Sequence, residues 1–248
     1  MYVLWFDQIT NADIALVGGK NASLGEMTTM LQEIGSIKVP FGFAVTARAF
    51  DDFLNFNNIN IENLIQDFGK KNKTISDLAN FGKKLREKIN NGKFPDTMKS
   101  EILEAFHKLN CEVAVRSSST AEDMPDASFA GQQDTYLNVG EPDLFNKIRQ
   151  CFASLYNDRA ISYRSTTKYG NCKISLSVAI QKMVRSDKGS AGVAFSLDTE
   201  TGFDKVIVIN GAFGQGELVV GGNIQPDDFI IFKEKMKIID KKLGSKKI

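Results

Sequence analysis

The chain has 248 residues, 42% hydrophobic and 25% charged, which is the composition of an ordinary globular protein with a sizeable core. Lys plus Arg number 31 against 30 Asp plus Glu, so the net charge of +1 creates no overall field for nucleic acid or a membrane surface. Cys111, Cys151 and Cys172 form no C-x-x-C pair and no disulfide framework, MYVLWFDQIT is no signal peptide, and no apolar run approaches a membrane span; the expectation is cytoplasmic.

In chain order, VGGKNASLGEM places two glycines and a lysine at the start of a predicted helix whose apolar positions are Leu24, Met27, Leu31 and Ile34. The Phe-rich segment from Phe41 to Phe56 reads as core. Leu78, Phe81, Leu85 and Ile89 predict a second helix, and Met98, Ile102, Phe106 and Leu109 a third, with Asn-rich turns between them. CEVAVRSS predicts a buried strand ending near Arg116, followed by a polar loop over 117–134 and the strand TYLNV. Helices are expected over about 144–156 and 158–169. From there strands dominate: ISLSVAIQKMV, SAGVAFSLD, KVIVINGAF, DFIIFK and KMKIID. The order predicts an α+β protein of two lobes, 1–188 and 189–248. The basic tail KKLGSKKI has no closing element and reads as a chain cut short.

Four stretches could carry chemistry. In the first, Ile14 stands where a P-loop needs its first glycine and Asn21 follows the lysine, so the P-loop pattern fails. Gly18 and Gly19 would still let the backbone approach an anion at a helix N-terminus, with Lys20 adding a full charge. A capped helix with a solvated Lys20 remains the plainer alternative. In the second, Arg116 ends an apolar strand, and Gly131, Gln132, Gln133, Asp134 and Thr135 form a small loop able to lie over a polyphosphate. In the third, Gln181, Lys182, Met183 and Val184 would offer a strand edge to an adenine, although periodicity alone shows only a strand. In the fourth, Glu217 follows a Gly-Gln-Gly turn and could accept hydrogen bonds from a ribose, or the segment is a plain glycine-rich connection. His107, the single histidine, reads as structural or surface, and no carboxylate pair is singled out as a metal site.

Taken together, LWFDQI, VGGKNASLGEM, VPFGFAVT, AVRSSSTAEDMPDASFAGQQDTYLNV, IQKMV, SAGVAFSLD and GQGELVVGGNIQPDDF resemble one family across nearly the whole chain. It is the N-terminal nucleotide-binding domain shared by phosphoenolpyruvate synthases, pyruvate phosphate dikinases and rifampicin phosphotransferases. GGKNASLGEM and LGSKKI are most similar to the synthase branch. The resemblance implies an ATP-grasp fold holding ATP between two lobes, the second incomplete here. Lys20 and Arg116 would be phosphate ligands, the 131–135 loop would cover the polyphosphate, 181–184 would meet the adenine and Glu217 the ribose. It further implies that ATP phosphorylates a histidine on a swivelling domain, which passes phosphate to pyruvate in a third domain. ATP, pyruvate and water would give phosphoenolpyruvate, AMP and phosphate. Mg²⁺ would serve as cofactor, with its ligands beyond residue 248, and a homo-oligomer is left open. On this reading the chain alone does not complete the reaction. Alternatives are the antibiotic-phosphorylating relative and a nucleotide-binding module without chemistry.

Overall fold

The computed structural model describes residues 1–31, 34–35, 37–69, 74–120, 134–166 and 174–245. Gly131, Gln132, Gln133, Cys172 and the end of the helix expected to reach 169 therefore lie outside the described residues. The protein is α+β, with two antiparallel sheets in two compact units, Met1–Met183 and Val184–Ile248.

The first unit is built on five strands: β1 (Val3–Trp5), β2 (Gly42–Val45), β3 (Val113–Ser119), β4 (Thr135–Val139) and β5 (Leu176–Lys182). Their order across the sheet is β1-β2-β5-β3-β4, every pair antiparallel. Side chains alternate between faces along each strand, and here the two faces differ in size. Val3, Phe43, Val45, Val113, Val115, Val178 and Ile180 point into the main core. The helices α2 (Ala47–Phe56), α4 (Ile75–Asn90), α5 (Asp96–Leu109) and α6 (Glu141–Ser154) supply much of the rest of that core, and α3 (Ile61–Gly69) and α7 (Asp158–Thr166) add Ile61, Ile65 and Ile161. Leu85 and Ile89 of α4, and Met98, Ile102, Phe106 and Leu109 of α5, are buried as their spacing requires. Phe43, Phe50 and Phe53 are core residues, but Phe41 and Phe56 of the same segment are exposed.

The opposite face carries Leu4, Ala44 and Ala179 and is covered by α1 (Ile14–Leu31), a helix broken at Gly18. Here the expected face is corrected. Met27 and Ile34 are exposed, whereas Val17, Asn21, Ala22, Gly25 and Thr28 are buried. The reason is distance: a Cβ at Gly18 would collide with the carbonyl of Ser118 in β3, and one at Gly25 with the carbonyl of Ile9 in the turn after β1. A helix held this near its sheet presents mostly small residues with Val17, Leu16 and Leu24 packing at the contact, while Met27 and Met30 turn outward.

The second unit is a sheet in the order β6-β7-β8-β9, formed by β6 (Ser190–Phe195), β7 (Val206–Phe213), β8 (Asp227–Phe232) and β9 (Lys237–Lys242). The short α8 (Glu217–Val220) packs on β6 and β7. Among the described residues of this unit only Val206 is a fully buried hydrophobic, and β8 is half-buried along its length.

Candidate functional site

Strand β3 does not stop at Arg116 but runs on to Ser119, so Arg116 is a mid-strand residue. Register then decides what it faces. Arg116 lies opposite Ala179 of β5 on one side and Thr135 of β4 on the other. Ala114 pairs with Gln181, and Ser118 with Ser177. Directly paired residues share a face, and Ala179 belongs to the face covered by α1. Arg116, Ser118, Thr135, Ser177 and Gln181 therefore line the face on which α1 rests, far as they are from it in sequence. Arg116 is half-buried and Thr135 exposed.

Lys20 reaches this face through a constrained turn. Gly18 has φ 75° and ψ 163°, a conformation closed to residues with a side chain, and it breaks α1 into two helical segments. A Cβ on Gly18 would stand 2.6 Å from Ser118 O and closer still to Ser118 Oγ. The helix resumes at once, and the Asn21 N–H, one of its free N-terminal donors, donates to Ser118 Oγ at 3.3 Å. The cap of this helix thus comes from β3, not from its own sequence neighbourhood. Lys20, half-buried, sits between the clamped turn and the capped residue. The turn joins Lys20 to the strand that bears Arg116.

Asp134 leads into β4, which begins at Thr135, beside this cluster. Asp134 O accepts from Ser117 N at 3.2 Å, which holds the chain entering β4 against β3. The Asp134 carboxylate accepts from Tyr136 Oη at 2.8 Å. Burial, with this carboxylate beside it, pushes the Tyr136 hydroxyl well above the usual phenol range.

The expected strand edge at 181–184 is not there. β5 is an interior strand with β2 and β3 on its two sides, so its backbone groups belong to the sheet. Beyond the ladder, Lys182 N donates to Phe41 O at 2.9 Å and Met183 N to Glu112 O at 3.1 Å. Gln181 is buried, and its Nε2 donates to Pro40 O at 2.9 Å, fixing the segment in which Phe41 stacks on Trp5 with ring centroids 4.9 Å apart. What this segment still presents are the exposed Lys182 and half-buried Met183. Val184 opens the second unit, where it is exposed.

Glu217 is also in the second unit, exposed at the first position of α8. Gly216 before it lies against Ala191 of β6, with a Cβ there 3.5 Å from the Ala191 Cβ. A cavity of about 560 Å³ opens on β6 and β7 of this unit, floored by the paired glycines Gly192 and Gly211 and bordered by Asn210, Ile224 and Phe229. Among the described residues no cluster of three or more His, Cys, Asp or Glu side chains is gathered that could hold a metal ion. His107 pairs with Glu141 at 3.0 Å across α5 and α6, away from the sheet face that carries Arg116. No described helix is long and apolar enough to cross a membrane.

Sequence reading passed over Asn21 and Ser177, which make the frame around Lys20. Asn21 stood beside the lysine in the glycine block, but nothing local marked Ser177, whose part depends on register.

Residues 14–248 match the family described as pyruvate phosphate dikinase, AMP/ATP-binding domain. Phosphoenolpyruvate synthase of Aquifex aeolicus is 48% identical over 259 aligned residues, covering 98% of this chain and 30% of that protein. The Helicobacter pylori phosphoenolpyruvate synthase is 47% identical over 99% of this chain, and the Escherichia coli one 46% over 99%, each alignment covering 32% of the relative. The chain thus spans about a third of the length of the curated relatives it matches.

Proposed function

The chain belongs to the pyruvate phosphate dikinase AMP/ATP-binding domain family, and from that premise we propose that it is the ATP-binding part of a phosphoenolpyruvate synthase. The observation that supports this reading is the Gly18 turn held against Ser118, which seats the start of the helix carrying Lys20 on the strand that bears Arg116. Two cations and the N-terminus of a helix on one face make a phosphate-binding surface, because each favours negative charge and neither needs to be moved into place.

In this proposal the two units are the lobes of an ATP-grasp-type domain. Lys20 and Arg116 bind the polyphosphate, and residues 131–135, of which Asp134 and Thr135 adjoin Arg116, lie over it. The adenine is met by Lys182, Met183 and Val184 through side chains and the strand's C-terminal end. Gln181 acts behind them by holding Pro40. Glu217 receives the ribose hydroxyls. Phosphoryl transfer consists mostly of positioning and charge neutralisation, so the task of Lys20 and Arg116 is to orient the transferred group and stabilise charge on it. The phosphoryl group would pass to a histidine on another domain and then to pyruvate, with water, AMP and phosphate completing the balance. Mg²⁺ belongs to this chemistry as a proposal only.

The test is ATP binding by the ¹⁵N-labelled chain, read by amide shifts. Lys20→Met and Arg116→Met should each weaken ATP by about tenfold or more, as loss of a charge-assisted hydrogen bond does. In a full-length phosphoenolpyruvate synthase carrying this domain, Lys20→Ala or Arg116→Ala should lower kcat/KM by several kcal/mol of transition-state stabilisation, on the order of 3. Either variant binding ATP like the unmodified chain removes that residue from the site.

A further inference from the structure

We infer that Asn21, acting with Ser118 and Ser177, is the positioning element of the phosphate site, fixing the Gly18–Gly19 turn and through it Lys20. The inference rests on the reading of Lys20 as a phosphate ligand. Asn21 is fully buried in α1. Its Nδ2 donates to Val17 O at 3.0 Å, closing the turn on its N-terminal side, and to Ser177 Oγ of β5 at 2.9 Å. The Ser177 hydroxyl in turn donates to Val45 O of β2 at 2.8 Å. The Asn21 N–H donates to Ser118 Oγ of β3. Strands β2, β5 and β3 are thereby tied to the turn through one side chain and its own amide.

A buried asparagine is an odd choice for simple packing. It is a weak helix former, and its polar groups lose their water on burial. Asn21 Oδ1 is moreover buried with no hydrogen-bond partner among the described residues, a cost that an aliphatic residue of similar size would avoid. What only the amide can do is bridge Val17 O and Ser177 Oγ together, holding the backbone on both sides of Gly18. Lys20 follows directly. A lysine on a flexible stem loses conformational freedom when it grips an anion, and a backbone held in place beforehand reduces that loss.

The experiment titrates the ¹⁵N-labelled chain with tripolyphosphate and follows the amides around Lys20. The variants are Ser118→Ala, Ser177→Ala, Lys20→Met and the two double variants that combine each serine change with Lys20→Met. Urea unfolding confirms that each is folded. Ser118→Ala and Ser177→Ala should each weaken tripolyphosphate about tenfold, and neither should weaken it further once Lys20 is methionine. Should one serine variant fail to fold, the other carries the same expectation. Unchanged affinity in a folded serine variant overturns the inference while leaving the phosphate site standing. So does a full additional loss in the Lys20→Met background, since the serine then acts independently of Lys20. Lys20→Met binding tripolyphosphate like the unmodified chain, or no shift at all at millimolar ligand, overturns the phosphate reading itself.

Discussion

Replacing Gly18 by alanine tests the turn on which the site depends. Two penalties meet at this position. With φ 75° and ψ 163° the backbone occupies a region used almost only by glycine, which costs a substituted residue about 1–3 kcal/mol. The added methyl would also stand 2.6 Å from Ser118 O, well inside the 3.4 Å at which ordinary contact begins, so α1 or β3 must retreat. Overpacking of this kind costs about 1–3 kcal/mol. The loss of about 2–6 kcal/mol is large beside a domain stability of about 5–15 kcal/mol. Trp5, the single tryptophan, packs against the main core of the first unit and reports its unfolding alone. Followed by its fluorescence, the urea midpoint should fall by about 1–3 M. Gly35→Ala is the control: φ is also positive, at 50°, but no described residue lies within 4 Å of the new Cβ. It should cost about 1 kcal/mol from backbone strain alone. A Gly18→Ala midpoint no lower than that of Gly35→Ala would refute the collision with Ser118.

The same unfolding curve checks the tie between α4 and α7, where Arg86 Nη1 bonds both Asp158 Oδ1 and Tyr156 O at 2.8 Å. Both side chains are partly solvated, so Arg86→Met should cost only about 1 kcal/mol, and a loss above about 3 kcal/mol would mean that the pair is effectively dry. Cys151 is fully buried whereas Cys111 is half-exposed. An alkylating reagent at neutral pH should label Cys111 and spare Cys151 until urea is added; peptide mapping that finds Cys151 labelled in the native chain contradicts this. Burial, helped by the Asp134 carboxylate, raises the Cys151 thiol far above its ordinary value of 9.0. Native Cys151 therefore keeps its proton where the unfolded chain loses it. Stability is whole below pH 9.0 and falls as pH rises past it, by at most about 1.4 kcal/mol per pH unit from this group. A flat unfolding free energy between neutral pH and about pH 10 would count against it.

Much of the fold was legible because large side chains record burial locally. The spacing of Leu85 and Ile89, or of Met98, Ile102, Phe106 and Leu109, states which side of a helix is covered, and these residues are covered. The β-branched runs of the second unit became β6 to β9, and the blocks around Lys20 and Arg116 were sufficient to indicate the family. Local pattern failed where contact distance or register decides. Of the face Leu24, Met27, Leu31 and Ile34 it assigned to the first helix, Leu24 packs against the covered cluster but Met27 and Ile34 are exposed, because a helix seated largely on small residues leaves only a weak apolar stripe on its buried side. It made 181–184 a strand edge, because a strand's neighbours come from distant segments, here residues 42–45 and 113–119. It marked Lys20 and Arg116 as charges worth binding something, yet the approach of the turn before Lys20 to the strand of Arg116 depends on Gly18 meeting Ser118. The sequence by itself marked Lys20 and Arg116 as charges able to attract an anion. Only the tertiary structure decided that the turn before Lys20 rests on the strand bearing Arg116, because a hydrogen-bond register between segments remote along the chain is set by packing and not by near neighbours.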